Sequence, residues 1–313
     1  MNIPEKWAYP AVMIGVAGHA SSEFFAKLGG VAGPETSVWR YLLGGFGLIL
    51  WALWDRDSRD LITPLRREGL NIVWLSFMGV TVTYLFFHWA LDYATVIQVA
   101  TVTTTIPIFV ALANWTLNGV HPGAVKMVTG LLAVLGIAVL LTDGALAALA
   151  GEAGTLPGVL LATGCAALGS FYAVLIKPVM ARHGGLKIIA LTMMIGGIGL
   201  WLLVGVAWGK WVNPASIVEK PALAAWSLVI LALWNTTVTQ LMWFGGLSAA
   251  PDITRASYLF FLKPIIAAAL AIVILGAWPT SLQVLAIALV TACVLVELSW
   301  PRLRALVGRK APR

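Results

Sequence analysis

In the stretch YLFFLKPIIAA, residues 258 to 268, the ammonium of Lys263 stands inside an apolar run and Pro264 follows it at once. A cation in apolar surroundings is costly unless it faces a cavity, an anion or a hydrogen-bonding partner. Proline removes one N–H and frees a carbonyl a turn earlier, leaving polar backbone where a solute can bind. Lys263 with Pro264 therefore reads as an anion-binding group beside a helix break. Pro107 offers a second break, beside the hydroxyls of Thr101, Thr103, Thr104 and Thr105. The competing reading is that Lys263 ties two helices together through a glutamate or backbone carbonyls and that the prolines are bends.

Titratable groups with helical spacing come next. His19, Glu23 and Lys27 stand at i, i+4 and i+8, one slowly turning stripe of a helix. His19 with Glu23 can carry a coupling proton, since burial and a neighbouring charge move either group toward neutrality; Glu23 and Lys27 can equally just neutralise each other. His88 and Asp92 repeat the four-residue spacing and read as gate or interface groups. Asp252 and Arg255 sit where a helix begins and serve its terminus. Cys165 and Cys293 fall inside apolar stretches and read as inert packing.

Aromatic and amide side chains complete the inventory. Trp234, Trp243, Tyr258, Tyr84 and Tyr172 lie within apolar stretches, and Asn235, Thr236, Thr237 and Gln240 form a polar cluster between the two tryptophans. Rings to cover an apolar body, amides and hydroxyls to orient it, and an ammonium for an anionic end suit a small amphipathic organic solute. The expected substrate-binding set is Lys263, Tyr258, Trp234, Asn235, Gln240, Trp243, Tyr84, Thr104 and Tyr172. For any one ring, packing against a neighbouring helix or lipid is the plainer role.

What positions these groups is a membrane. Of 313 residues 60% are hydrophobic and 11% charged, and the mean hydropathy is +0.92, outside the range of soluble cores. Ten apolar stretches have the length that crosses a bilayer: 9–28, 38–54, 70–91, 96–117, 125–142, 156–176, 188–208, 222–247, 253–275 and 282–298. Rich in Leu, Ala and Gly without alternation, they predict helices rather than barrel strands. Lys263 falls about eleven residues into the ninth, near the midplane at about 1.5 Å per residue. Lys and Arg crowd the loops of one side, which predicts both termini in the cytoplasm and a multi-pass protein of the cell inner (plasma) membrane. The net charge of +7 is then a topology signal, and nucleic acid is not an expected partner. The lipid bilayer and a small-molecule substrate are, and no cofactor or metal is implied. HExxH, G-x-S-x-G, P-loop and cysteine–histidine metal spacings are absent from the sequence, which argues against a membrane enzyme.

The chain repeats itself. At an offset of 157, Pro107 falls on Pro264, Gly119 on Gly276 and Pro122 on Pro279; earlier, an offset of 150 pairs Lys27 with Lys177, Gly47 with Gly197 and Trp51 with Trp201. Two halves of five helices, 1–150 and 151–313 with its basic tail, must enter the membrane from opposite faces, an inverted repeat.

SVWRYLLGG opening the second stretch, WALDYATVIQVATVTTTIPIFVALANWTLNG across the third and fourth, and SYLFFLKPIIAAALAIVILG in the ninth resemble the EamA-type transporters of the drug/metabolite transporter superfamily. The resemblance spans residues 9 to 298. It implies ten helices in two five-helix repeats and a secondary transporter, most often an exporter. Arg40 matches the arginine often seen at the start of the family's second helix and reads as a structural link across the outer end. Where many relatives carry a glutamate after the glycine closing the fourth and ninth helices, this chain has Val120 and Ala277. The expectation is an all-α membrane protein that moves a small metabolite, such as an amino acid or related carboxylate, by alternating access about a midplane site. A cationic or aromatic compound held by tryptophan and tyrosine faces is the rival substrate. A non-transporting scaffold or sensor is the rival of another class.

Overall fold

The computed structural model describes residues 2–94, 96–142, 144–145, 156–275 and 278–308; the side chains of Glu23, Lys27, 96–97, 271–275 and 301–308 lie outside the description. Among the described residues the secondary structure is helical throughout. Nine stretches are long and apolar enough to cross a membrane: α2 Gly33–Trp54, α3 Ile62–Tyr93, α4 Gln98–Asn118, α5 Ala124–Thr142, α6 Leu156–His183, α7 Gly185–Trp208, α8 Ala222–Ala249, α9 opening at Ile253–Leu270, and α10 whose apolar part is Ser281–Trp300. The helix α1, Ala8–Leu28, packs among them as a tenth; its 21 residues span about 30 Å at 1.5 Å per residue.

The helix ends follow local chemistry. The backbone N–H of Gly33, opening α2, donates to Asp92 Oδ1 at 3.2 Å, so Asp92 fastens the start of α2 to the end of α3. The backbone of Gly119 is left-handed, φ +69°, and closes α4 as a glycine without a Cβ penalty can. Thr280 and Gln283 cap α10 reciprocally, each backbone N–H donating to the other's side chain.

The two halves interleave rather than standing apart. The closest helix pairings, α2 with α7, α1 with α8, α5 with α10, α3 with α6 and α4 with α6, all join one half to the other. An inverted repeat converts α1–α8 into α6–α3 and leaves α2–α7 and α5–α10 as pairs that map onto themselves. The helix defects repeat as well. A π-helical turn interrupts α3 at Phe77–Val82 and α8 at Leu233–Val238. In the first, Thr81 Oγ1 donates to the Gly196 carbonyl of α7 at 2.9 Å. In the second, Thr237 Oγ1 donates to the Gly44 carbonyl of α2, also at 2.9 Å.

At the α2–α7 crossing the backbones touch. A Cβ on Gly45 would lie 2.8 Å from Met194 Cα, and one on Gly197 would lie 2.6 Å from the Tyr41 carbonyl oxygen. Small residues let membrane helices approach this closely, and packing then holds them. These mirrored contacts equate Gly45 with Gly197, an offset of 152, and correct the offset of 150 that sets Gly47 against Gly197. Two further residues enter before the crossing than the sequence alignment allows.

The breaks at the prolines are present, in altered form. In α4 the α-helix stops at Thr103 and resumes at Ile106. In α9 a 3-10 stretch, Tyr258–Leu262, leads into Lys263–Leu275. Each proline is the second residue of the resumed segment, where its missing N–H leaves no intrahelical bond unmade. Around the break in α4 the hydroxyls of Thr103, Thr104 and Thr105 donate back to the carbonyls of Ala100, Thr101 and Val102.

Candidate functional site

Seven helices surround a cavity between the repeats. Its lining comes from His19 and Ser22 on α1, Arg40 on α2, Thr83, Tyr84 and Phe87 on α3, and Thr103, Ile106 and Val110 on α4. It is completed by Cys165, Gly169, Ser170 and Ala173 on α6, Trp243 and Phe244 on α8, and Phe260 and Lys263 on α9. The void, mouth included, measures about 590 Å³.

Two basic side chains face it, and the described lining residues include no carboxylate. Arg40 is 1% exposed. Its Nη2 donates to the Asn235 carbonyl at 2.8 Å and its Nε to Thr236 Oγ1 at 3.1 Å. The π-turn of α8 explains the position, because widening the helix frees a carbonyl. The hydroxyls of Thr236, Thr237 and Thr239 donate five residues back to fill the rest of that turn. The guanidinium lies 5.2 Å from the Tyr41 ring centre and 6.0 Å from that of Tyr84. Arg40 is thus a structural link, joining α2 to α8, and a wall of the cavity as well.

Lys263 is 5% exposed, with Nζ 5.6 Å from the Phe260 ring centre and 5.9 Å from that of Phe87. A cation within about 6 Å of ring faces gains from their quadrupoles. Beside it, His19 meets Trp243 edge-on at 5.7 Å and Phe260 at 5.5 Å, and the two larger rings lie 5.0 Å apart. His19 Nε2 is shielded and has no hydrogen-bond partner among the described residues. The side chain of Glu23, its expected proton-coupling partner, lies outside the described residues.

Of the nine residues expected to bind substrate, Lys263, Trp243 and Tyr84 line the cavity; the other six point elsewhere. Trp234 Nε1 donates to Ser21 at 3.2 Å, and Asn235 Nδ2 donates to Ser21 at 2.9 Å. Gln240 lies between the hydroxyls of Tyr84 and Tyr41. Thr104 is bonded to its own backbone. Tyr172 shares a 2.7 Å hydrogen bond with Thr192, and the Tyr258 hydroxyl donates to the Lys126 carbonyl on α5. His88 is fully buried, its Nδ1 2.8 Å from Ser37 Oγ and 3.0 Å from the Tyr84 carbonyl. With Asp92 it braces the α2–α3 contact, an interface role.

Phe87, Thr103, Ser170 and Phe260 were not among the expected residues, although the repeat contained the signal. At an offset of 156, Phe87 corresponds to Trp243; at 157, Thr103 corresponds to Phe260 and Ile106 to Lys263. Mirrored glycine contacts, Gly18 with Thr239 and Gly169 with Thr83, likewise equate His19 with Ser170. The cavity straddles the pseudo-two-fold axis.

Known proteins share this architecture. A transporter of Archaeoglobus fulgidus, itself uncharacterized, is 25% identical over 224 residues, 72% of this chain and 73% of its own. A crystal structure of a protein 20% identical in sequence matches with a TM-score of 0.76 over 95% of this chain and 98% of the other, and shows the same fold. The EamA-like transporter family model matches twice, over residues 6–142 and 156–298, one copy for each repeat. This multi-pass membrane protein belongs to the EamA-like transporter family.

Proposed function

We propose that the chain is a secondary transporter of a small organic anion, an amino acid or a related carboxylate, bound in the central cavity and released by alternating access. One observation carries the reading: Arg40 and Lys263 both face the cavity, and no described lining residue is acidic. A substrate carboxylate there gains charge-assisted hydrogen bonds in a dry site, while a quaternary ammonium compound meets like charge. The apolar part of the substrate rests on Trp243, Phe260 and His19. The halves 1–150 and 151–313 rock against each other about the Gly45–Gly197 contact, with His19 as the candidate proton carrier. Both termini are cytoplasmic, the membrane is the cell's inner membrane, and transport runs outward.

A thermal-shift series on the purified protein tests the substrate class, because a ligand that binds only the folded state raises its apparent stability. Amino acids and small carboxylates should raise the melting temperature, and their amides or quaternary ammonium analogues should not. Stabilisation by the cations alone would overturn the proposal. Accessibility tags test topology: both termini on one face and the loop containing Pro214–Glu219 on the other.

A further inference from the structure

The end of the bundle where α9 begins carries a cluster of four charged side chains. Lys126 Nζ, at the start of α5, lies 2.6 Å from Asp252 Oδ2 and 3.9 Å from Glu297 Oε1 on α10. Arg255, in the first turn of α9, lies 3.6 Å from Asp252 through Nη2 and 3.5 Å from Glu297 through Nε. The Glu297 side chain is fully buried, and neither of its oxygens has a partner in hydrogen-bonding geometry among the described residues. Its contacts are ionic and long. Asn114 Nδ2 donates to Thr254 at 3.4 Å and so draws the end of α4 into the same joint. None of these groups lines the central cavity.

The inverted repeat supplies an internal control. An offset of 157 carries Lys126 to Gln283, Arg255 to Gln98 and Glu297 to Leu140. At that opposite end Gln283 Nε2 donates to the Leu140 carbonyl at 3.2 Å, and Gln98 is buried. Thr95, the counterpart of Asp252, lies outside the described residues. Among the described residues one joint is therefore built twice, with ionic side chains at one end and the Gln283 amide on backbone at the other. Three of the four side chains are partly exposed, Lys126 16%, Arg255 22% and Asp252 27%, around the buried Glu297, and removing one member of such a cluster strands the rest.

We infer that Lys126, Asp252, Arg255 and Glu297 form an ionic latch that keeps this mouth of the transporter shut, whereas the opposite mouth closes through neutral hydrogen bonds. The inference rests on the alternating-access reading. While Glu297 stays shielded from water this mouth stays closed; its hydration releases all four groups together, so opening is all-or-none.

The native Cys165, which lines the cavity, reports on the latch in a Cys293→Ala background. A membrane-impermeant maleimide is applied in turn to each face of oriented vesicles. From the Lys126 face, Glu297→Gln and Lys126→Met should each be labelled at least about tenfold faster than the parent. Lys126→Arg, which keeps the charge opposite Asp252 and Glu297, should stay slow. Equal slow labelling from that face in the parent and both neutralised variants would overturn the latch and leave the cluster a helix tie. So would faster labelling from both faces, which marks a loosened fold. Failure of Cys165 to label from either face in every protein would overturn the two-sided access on which the latch rests. Substrate protection of Cys165 with unchanged sidedness would remove the latch alone.

Discussion

Tyr84 and Gln240, which occupy equivalent positions in the two repeats, are hydrogen bonded to each other: the Tyr84 hydroxyl donates to Gln240 Oε1 at 3.1 Å. Gln240 Nε2 donates onward to the Tyr41 hydroxyl at 3.0 Å, and the Tyr41 ring stacks on Tyr84 at 4.2 Å. Equivalent residues meet only where the axis relating them passes, so this pair marks the axis beside the cavity.

Gln240→Leu should therefore destabilise the protein by about 1–3 kcal/mol, because it leaves two buried tyrosine hydroxyls without their amide. Combining it with Tyr84→Phe should cost less than the two single losses together, since residues in one network couple. Detergent thermal unfolding of the four proteins measures this, and strictly additive losses would refute it.

Lys263→Met keeps the length of the side chain and removes the charge. The variant should fold at least as well as the parent and bind substrate about ten- to a hundredfold more weakly, the worth of one charge-assisted hydrogen bond. Lys263→Arg should restore part of the affinity, since a planar fork does not occupy the place of a compact ammonium. Stability and affinity are to be read on one preparation. A clear loss of stability with normal binding would make the lysine a helix tie.

Gly197→Val should be destabilising by at least about 1–3 kcal/mol, the usual cost of overpacking. Its added Cβ would lie 2.6 Å from the Tyr41 carbonyl oxygen, and backbone cannot swing aside as a flexible side chain does. Unchanged thermal stability of this variant would mean that the α2–α7 contact is looser than described.

Asp252 precedes α9 and stands outside the membrane-spanning segment. Burial pushes its pKa up, but the hydrogen bonds from Lys126 and from the Arg255 backbone N–H outweigh this, and the net shift is downward. A depressed carboxylate pKa contributes stability that is present above the unfolded value, about 3.9, and lost as pH falls through the folded one. Asp252→Asn should accordingly lower thermal stability at pH 7 and converge on the parent as pH falls past the unfolded value and through the lower folded one. A gap that persists undiminished in acid would exclude the linkage.

Much of the architecture was legible because it depends on length and period. Apolar stretches of membrane-crossing length, the two matched prolines and Gly119 each impose a local consequence that needs no neighbour. The details that depend on neighbours were not legible. The π-turns of α3 and α8 leave no compositional mark beyond their threonines, and they decide which way Asn235 and Gln240 point. Trp234, Tyr172 and Tyr258 were chosen by residue type, yet rotation of each helix turned them toward Ser21, Thr192 and Lys126. Lys263 was placed from the expense of burying a cation, a constraint that holds whichever helices surround it.

The position of the cavity on the axis has a stereochemical consequence. A symmetric chamber would accept an elongated ligand in two equivalent poses, head to either repeat. Here Lys263 faces across from Ile106, and His19 from Ser170, so the two poses differ in charge as well as shape. A substrate of the proposed anionic class would then keep one heading while the mouths exchange, its anionic end with α9.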